Sequence, residues 1–313
     1  MAVVWHISAV EFANSTLIRG VVLKRSFYSH GKKRSSLSNF VSIGRNYFQP
    51  PCKHCRIDIR VNTSDFYPVQ TNAYGGFDLE IQDVNIENIE VLTEDHREKI
   101  PLMQEYPVIF KNTDSAFDVI SDIDDTLLVS HTLSIGRRLG SLFFIPAHRR
   151  KFVSFVKGIL DYSRHQGGRV FYVSKSESNL FAIIANFIRH YQLPEGDISL
   201  TPYLRFRQLF DAKKGSDYKK AAIRKILKQA PEKRFILMGD DTKNDMEVYA
   251  AINREFPEQI LRVYIRKTLK NLSGKRKNDW AALDAVREKF CYFSDSDDVQ
   301  KAIMLIDQTL KQQ

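Results

Sequence analysis

The stretch Phe117-Asp-Val-Ile-Ser-Asp122-Ile-Asp124-Asp125-Thr126 decides how the rest of the chain is read. An apolar segment of strand character, Phe117–Ser121, runs straight into Asp122-Ile123-Asp124-Asp125-Thr126. Like charges side by side repel, and burial disfavours their ionised form, so a buried strand end does not hold three acids uncompensated. A divalent cation with a phosphoryl ligand would supply that compensation. The plainer alternative is a capped strand end opening into an Asp-rich turn. It leaves the matching groups downstream unexplained.

Those groups close later apolar segments. Val170-Phe-Tyr-Val173 ends at Ser174, and Phe235-Ile-Leu-Met238 ends in Gly239-Asp240-Asp241 with Asp245 just beyond. The pair Lys219-Lys220 opens the helical stretch before that last strand. Strands are expected at Phe117–Ser121, Arg169–Val173, Ile198–Leu200, Phe235–Met238, Ile260–Ile265 and Phe290–Phe293. Helices are expected at Lys151–His165, Asn179–Tyr191, Tyr218–Gln229, Asp245–Phe256 and Ser296–Leu310. This alternation predicts an α/β fold: a parallel sheet with helices on both faces and its ligand beyond the carboxyl ends of the strands.

Residue chemistry then assigns roles. Asp122 is read as a carboxylate nucleophile that attacks phosphorus, and Asp124 as the acid that protonates the leaving alkoxide and later takes a proton from water. Mg²⁺ prefers carboxylate, carbonyl and water ligands, which Asp122, Asp124 (through its backbone), Asp240 and Asp245 supply. Thr126 and Ser174 are read as phosphate-binding hydroxyls, and Lys219 or Lys220 as the cation balancing charge on the phosphoryl oxygens. Asp125 is read as a backbone donor, because its side chain points away from that of Asp124. Asp241 is left out of the metal set.

Upstream of residue 114 the pattern changes. Short alternating segments, Ile57–Val61 and Phe77–Ile81, lie between Pro50-Pro51, Asn62-Thr63 and Gly75-Gly76. They predict a small β-sandwich-like domain over 1–113, ahead of a catalytic domain over 114–313. Thr71-Asn-Ala-Tyr-Gly-Gly-Phe77 reads as strand, glycine turn and strand. The Ser29–Leu37 segment is basic and serine-rich.

Length and composition bound the rest. A chain of 313 residues, 43% hydrophobic and 27% charged, suits two globular domains with a sizeable core. The formal charge of +10 implies an anionic partner, namely anionic lipid, nucleic acid or a polyanionic substrate. Met1–Ala9 lacks a secretory leader's pattern and no apolar run spans a bilayer, so the expected location is cytoplasmic with peripheral membrane contact. Three cysteines make no disulfide framework. Cys52-Lys-His-Cys55 has no second metal half-site and is read as reduced thiols in a Pro-rich loop.

With these residues in view, the chain resembles the haloacid dehalogenase superfamily. Asp122–Thr126 fits its first motif, Ser174 its second, the lysine pair its third and Gly239–Asp245 its fourth. It is more closely similar to the catalytic domain of the actin-patch-associated phosphatidate phosphatases and their bacterial relatives. That likeness rests on Tyr172-Val-Ser174, Tyr218-Lys219, Phe235–Asp240 and Asp245-Met-Glu-Val-Tyr249. Aligning the helix through Ile223 puts the family lysine on Lys219. Two places depart from the family: Asp241-Thr242 replaces Ser-Gly, and Lys175-Ser176-Glu177 replaces an Asn/Ser-Pro-Trp-like stretch.

The resemblance implies a Rossmann-like core and Mg²⁺-dependent hydrolysis of phosphatidate at a membrane surface, releasing diacylglycerol. A phosphatase of the same mechanism acting on a soluble or nucleic-acid end phosphate is the second reading, although no aromatic stacking platform supports it. A non-catalytic membrane adaptor is the third. Within Leu128–Arg150, the expected substrate-contacting segment, Ile135, Leu139, Leu142 and Phe143 form a helical stripe with Arg137 and Arg138 off it. That pattern suits an amphipathic helix on an anionic bilayer, or a cap helix packed on its own core.

Overall fold

The computed structural model describes residues 2–24, 49–82, 85–123, 126, 153–202, 212–241, 244–268, 281, 287–294 and 297–311. The chain divides into two compact units. The first comprises Met1–Asn112 with Glu177–Asn186 and Thr201–Phe210; the second comprises Thr113–Ser176, Phe187–Leu200 and Asp211–Gln313.

Among the described residues, the first unit has seven strands: β1 (Val3–Glu11), β2 (Ser15–Leu23), β3 (Arg56–Val61), β4 (Asp65–Gln70), β5 (Gly76–Gln82), β6 (Ile89–Thr93) and β7 (Ile109–Phe110). They form a four-stranded sheet in the order β5-β2-β1-β7 and a three-stranded sheet in the order β4-β3-β6. Val4, Ile7, Ile18, Val22 and Phe77 of one sheet share a buried cluster with Ile57, Ile59, Val61 and Val91 of the other. A second cluster of Val3, Trp5, Val21 and Leu23 occupies the alternate positions of β1 and β2. Strands buried on both faces lose the apolar/polar alternation, which is why Val3–Glu11 and Ser15–Leu23 do not announce themselves in the sequence. The Thr71–Phe77 turn is present, with Gly75 at φ +75°. It does not make a hairpin: β4 pairs with β3, whereas β5 pairs with β2.

One expectation is corrected in this unit. Cys52 and Cys55 are joined in a disulfide and are not reduced thiols. The Thr71 hydroxyl donates to the Cys52 carbonyl and accepts from the Cys55 N–H, so the short loop is also pinned by hydrogen bonds.

The second unit is built on β8 (Phe117–Ser121), β9 (Val170–Glu177), β10 (Asp197–Thr201), β11 (Arg234–Asp240), β12 (Ile260–Arg266) and β13 (Phe290–Phe293). Their order is β10-β9-β8-β11-β12-β13. The β8–β9, β8–β11, β11–β12 and β12–β13 pairs are parallel. The strand order reverses between β8 and β11, and at such a point a crevice opens beyond the strand ends. The described α-helices of the chain are α1 (Ser154–His165), α2 (Phe181–His190, which begins in the first unit), α3 (Ala212–Gln229), α4 (Asp245–Glu255) and α5 (Val299–Lys311). Helix α1 packs with α5, and α3 with α4. No described helix is long and apolar enough to cross a membrane.

Candidate active site

The site grows from the reversal point. Strand β8 ends at Ser121, and the Asp122 N–H donates to the Met238 carbonyl of β11 at 2.8 Å. That bond locks the two strand ends in register. Strand β11 continues through Gly239 to Asp240, two residues beyond the apolar run that the sequence suggests. Asp245 opens α4, where the positive end of the helix dipole favours an acid. Gly239 allows the approach: a Cβ there would lie 2.7 Å from Tyr249 Cε2 and 2.8 Å from Asp245 Oδ2.

Lys219 completes the cluster. On α3 it is in step with Ile223, Ile226 and Leu227 at i+4, i+7 and i+8, all buried. It therefore points inward with them, whereas Lys220 is off that face and only half-buried. Lys219 Nζ donates to Asp122 Oδ1 at 2.9 Å and to Asp245 Oδ1 at 2.8 Å. Lys219, Asp240 and Asp245 are 0% exposed and Asp122 is 1% exposed, so these charges meet in a low-dielectric setting. Burial by itself pushes the Lys219 ammonium down, but the charges of Asp122 and Asp245 outweigh it and hold its pKa well above the usual lysine value.

Carboxylate oxygens of Asp122, Asp240 and Asp245 lie within 4.8 Å of one another. Three buried carboxylates exceed the single positive charge Lys219 brings, and a divalent cation would neutralise the surplus. The donors are all oxygen, the set preferred by hard cations such as Mg²⁺. The residues therefore fit a metal ion of that class.

The other expected site residues fall as follows. Thr126 is fully buried, with its hydroxyl 3.5 Å from Asp122 Oδ2. Ser174 is also buried, and its hydroxyl accepts from the Ser176 N–H at 2.9 Å. Strand β9 runs on to Glu177, so Ser174 sits inside the strand and not past its end. Tyr172 pairs with Ser121, so Ser174, two residues on, stands at the strand-end level of the site. Asp124 and Asp125 lie outside the described residues, as does Leu128–Arg150 with its Ile135, Leu139, Leu142 and Phe143 stripe and Arg137 and Arg138.

Three further side chains shape the site. Tyr249, one helical turn after Asp245, donates to the Met238 carbonyl at 2.8 Å and lies beneath Lys219, whose Nζ is 5.3 Å from the ring centroid. Burial first, then the Asp245 and Asp122 charges, raise its phenol well above the ordinary tyrosine value, against the pull of Lys219. It remains a neutral donor. Thr268 and Tyr292 hold Asp241: the Thr268 N–H donates at 3.0 Å, and the Thr268 and Tyr292 hydroxyls also donate to its carboxylate. The i+4 spacing from Asp245 marks Tyr249 in the sequence; nothing local marks the other two.

A mixed α/β unit that gathers three buried carboxylates and a lysine at the reversal of a parallel sheet defines a class of acidic, cation-fitting sites. Residues 117–267 match the family described as Phosphatidate phosphatase APP1, catalytic domain. That segment belongs to this family and holds Asp122, Ser174, Lys219, Asp240, Asp245 and Tyr249, whereas Thr268 and Tyr292 lie beyond it. Phosphatidate phosphatase APP1 of Saccharomyces cerevisiae is 29% identical over 245 residues, covering 73% of this chain. An uncharacterized protein of Schizosaccharomyces pombe is 22% identical over 188 residues, covering 59% of this chain. The chain spans 39% and 30% of the lengths of these two relatives. Among solved structures, a chain of a Pnkp1/Rnl/Hen1 complex matches 57% of each chain at 16% identity with a TM-score of 0.36, too low to bear on fold or function.

Proposed function

We propose that the chain is a phosphoric monoester hydrolase that removes phosphate from phosphatidate at a membrane surface, using Mg²⁺. The cluster of Asp122, Asp240 and Asp245 around Lys219 carries this reading. Its place inside a segment of the APP1 catalytic family supports the choice of substrate. On this reading residues 114–313 form a Rossmann-like haloacid dehalogenase core, and residues 1–113 a β-sandwich-like domain. The location is cytoplasmic, with peripheral contact to anionic lipid.

Asp122 is the nucleophile. Lys219 Nζ donates to its carboxylate from 2.9 Å and orients it. One Asp122 oxygen bonds to phosphorus as the ester P–O bond breaks, and Asp124 passes its proton to the departing alkoxide. Asp124 then takes a proton from water, which attacks the aspartyl-phosphate, freeing inorganic phosphate and restoring Asp122. Ser174 and Thr126 donate to phosphoryl oxygens, and Lys219 offsets the charge that accumulates there. Asp122, Asp240, Asp245 and the Asp124 backbone would hold Mg²⁺, which would neutralise phosphoryl charge as a Lewis acid.

The test is phosphate release with Mg²⁺ from phosphatidate in mixed micelles, beside sugar phosphates, nucleotides and nucleic-acid ends. Turnover of phosphatidate, abolished in Asp122→Asn, is expected. Turnover confined to soluble esters or nucleic-acid ends sinks the lipid assignment. Activity indifferent to Asp122→Asn sinks the mechanism.

A further inference from the structure

Asp241 is a fully buried acid next to the proposed metal ligand Asp240, and the mechanism gives it nothing to do. A buried carboxylate is costly unless hydrogen-bonded. This one is bonded on both oxygens. Oδ1 accepts from the Thr268 N–H at 3.0 Å and from the Thr268 hydroxyl, and Oδ2 accepts from the Tyr292 hydroxyl. The Asp241 N–H donates to the Arg266 carbonyl at 3.2 Å.

These partners come from three places in the chain. Arg266 is the last residue of β12, Thr268 follows it, and Tyr292 lies on β13. The Lys267 N–H donates to the Phe293 carbonyl at 2.7 Å, so the ends of β12 and β13 are themselves tied. One carboxylate therefore joins the ends of β11, β12 and β13. Successive side chains leave an extended backbone in opposite directions. A clamp on Asp241 thus fixes the backbone from which Asp240 departs, on the side where Asp122 and Asp245 stand.

We propose that Asp241 is a positioning residue: anchored by Thr268 and Tyr292, it holds the end of β11 so that Asp240 is aimed at Asp122 and Asp245 for a divalent cation. This inference rests on the metal-site reading given above. Cation sites need their ligands held within about 0.5 Å, by partners outside the ligand set. Asp241 supplies that hold from residues that do not touch the cation.

Binding of Mn²⁺ alone, followed by electron paramagnetic resonance on the full chain, tests it. Tyr292→Phe removes one hydroxyl and is expected to weaken Mn²⁺ binding about tenfold, the lower end for a residue that orients a ligand. Asp241→Asn and Thr268→Val should weaken it similarly, and Thr268→Ser, which keeps the hydroxyl, should restore it. Melting temperature in EDTA should stay at the wild-type value for Thr268→Ser and fall modestly for Tyr292→Phe, which leaves a buried carboxylate oxygen short of one donor. In turnover the Tyr292→Phe defect should appear as a raised Mg²⁺ requirement, with kcat recovered at saturating Mg²⁺.

Wild-type Mn²⁺ affinity in Tyr292→Phe and Asp241→Asn, with binding lost in Asp240→Asn, overturns the positioning role and leaves the metal site standing. A fall in EDTA melting temperature with unchanged Mn²⁺ affinity makes the cluster a stability element and overturns the proposal too. If wild-type protein binds no Mn²⁺, or Asp240→Asn binds it normally, the metal-site reading fails and takes the inference with it.

Discussion

The ammonium of Lys219 lies 2.9 Å from Asp122 Oδ1, and both side chains are sealed from solvent. The same ammonium reaches Asp245, so a single cation separates acids from β8 and α4. Removing one partner of a buried pair strands the other's charge, at a cost of about 3–5 kcal/mol. Lys219→Met should therefore lower unfolding free energy by about that amount, measured by urea denaturation in EDTA. Lys220→Met, off the buried face, should stay within about 0.5 kcal/mol of wild type.

The excess of carboxylates predicts stabilisation by divalent cation. Magnesium at a hundredfold above its dissociation constant should add about 2.7 kcal/mol to unfolding free energy, with chelation reversing it. Asp240→Asn and Asp245→Asn each remove a ligand charge and should shrink the thermal shift. A shift equal to wild type in both variants would remove the metal from Asp122, Asp240 and Asp245.

Cysteine chemistry can be checked by counting thiols. The chain has three cysteines, with Cys52 and Cys55 joined and Cys291 free. One thiol should react in native protein and three after reduction and unfolding. Burial, then the charge of Asp297, pushes the Cys291 thiol above its ordinary value. Less thiolate is present at pH 8, so alkylation of Cys291 should be slower in the folded chain than in the unfolded one.

Much of this site was legible because its determinants are local. The apolar run Phe117–Ser121 coincides with β8, whereas the residues alone left Lys219 and Lys220 open until the buried face of α3, with Ile223, Ile226 and Leu227, set Lys219 inward. What escaped was long-range. Asp118, Asp122 and Asp241 look alike as acids at strand ends. Asp118 is matched by Arg169, and Asp241 by Thr268 and Tyr292, partners 51, 27 and 51 residues away. Spacing within a segment cannot reveal such pairs. The β1–β2 pair was hidden for a different reason, because burial on both faces erases alternation.

Gly239 is where backbone conformation and site geometry meet. Its missing side chain leaves room for Tyr249 and for Asp245 Oδ2, and an added methyl would overlap both. Gly239→Ala should cost about 1–3 kcal/mol by overpacking. Because relief requires α4 to retreat from β11, Asp245 should move away from Asp240. Metal affinity should then fall further than that of a variant equally destabilised elsewhere, such as Ile226→Val. Equal affinities in the two would make Gly239 a packing residue only.

Asp118 and Asp122 stand at opposite ends of the same five-residue strand, and they should fail differently. Asp118 accepts from Arg169 Nε at 3.0 Å, Nη2 at 2.8 Å and the backbone N–H at 2.8 Å, with its side chain fully buried. Its charge is satisfied entirely by protein, at the strand start, far from the carboxyl-end chemistry. Asp118→Ala strands the guanidinium and should cost about 3 kcal/mol or more of unfolding free energy, leaving kcat per folded molecule unchanged. Asp122→Asn should do the reverse. It removes one charge from a crowded acidic cluster, so metal-free stability should hold or rise while turnover is lost. Urea denaturation and active-site-normalised turnover on the two variants separate the roles. A kcat loss in Asp118→Ala comparable to that in Asp122→Asn would show that the strand transmits strain from one end to the other.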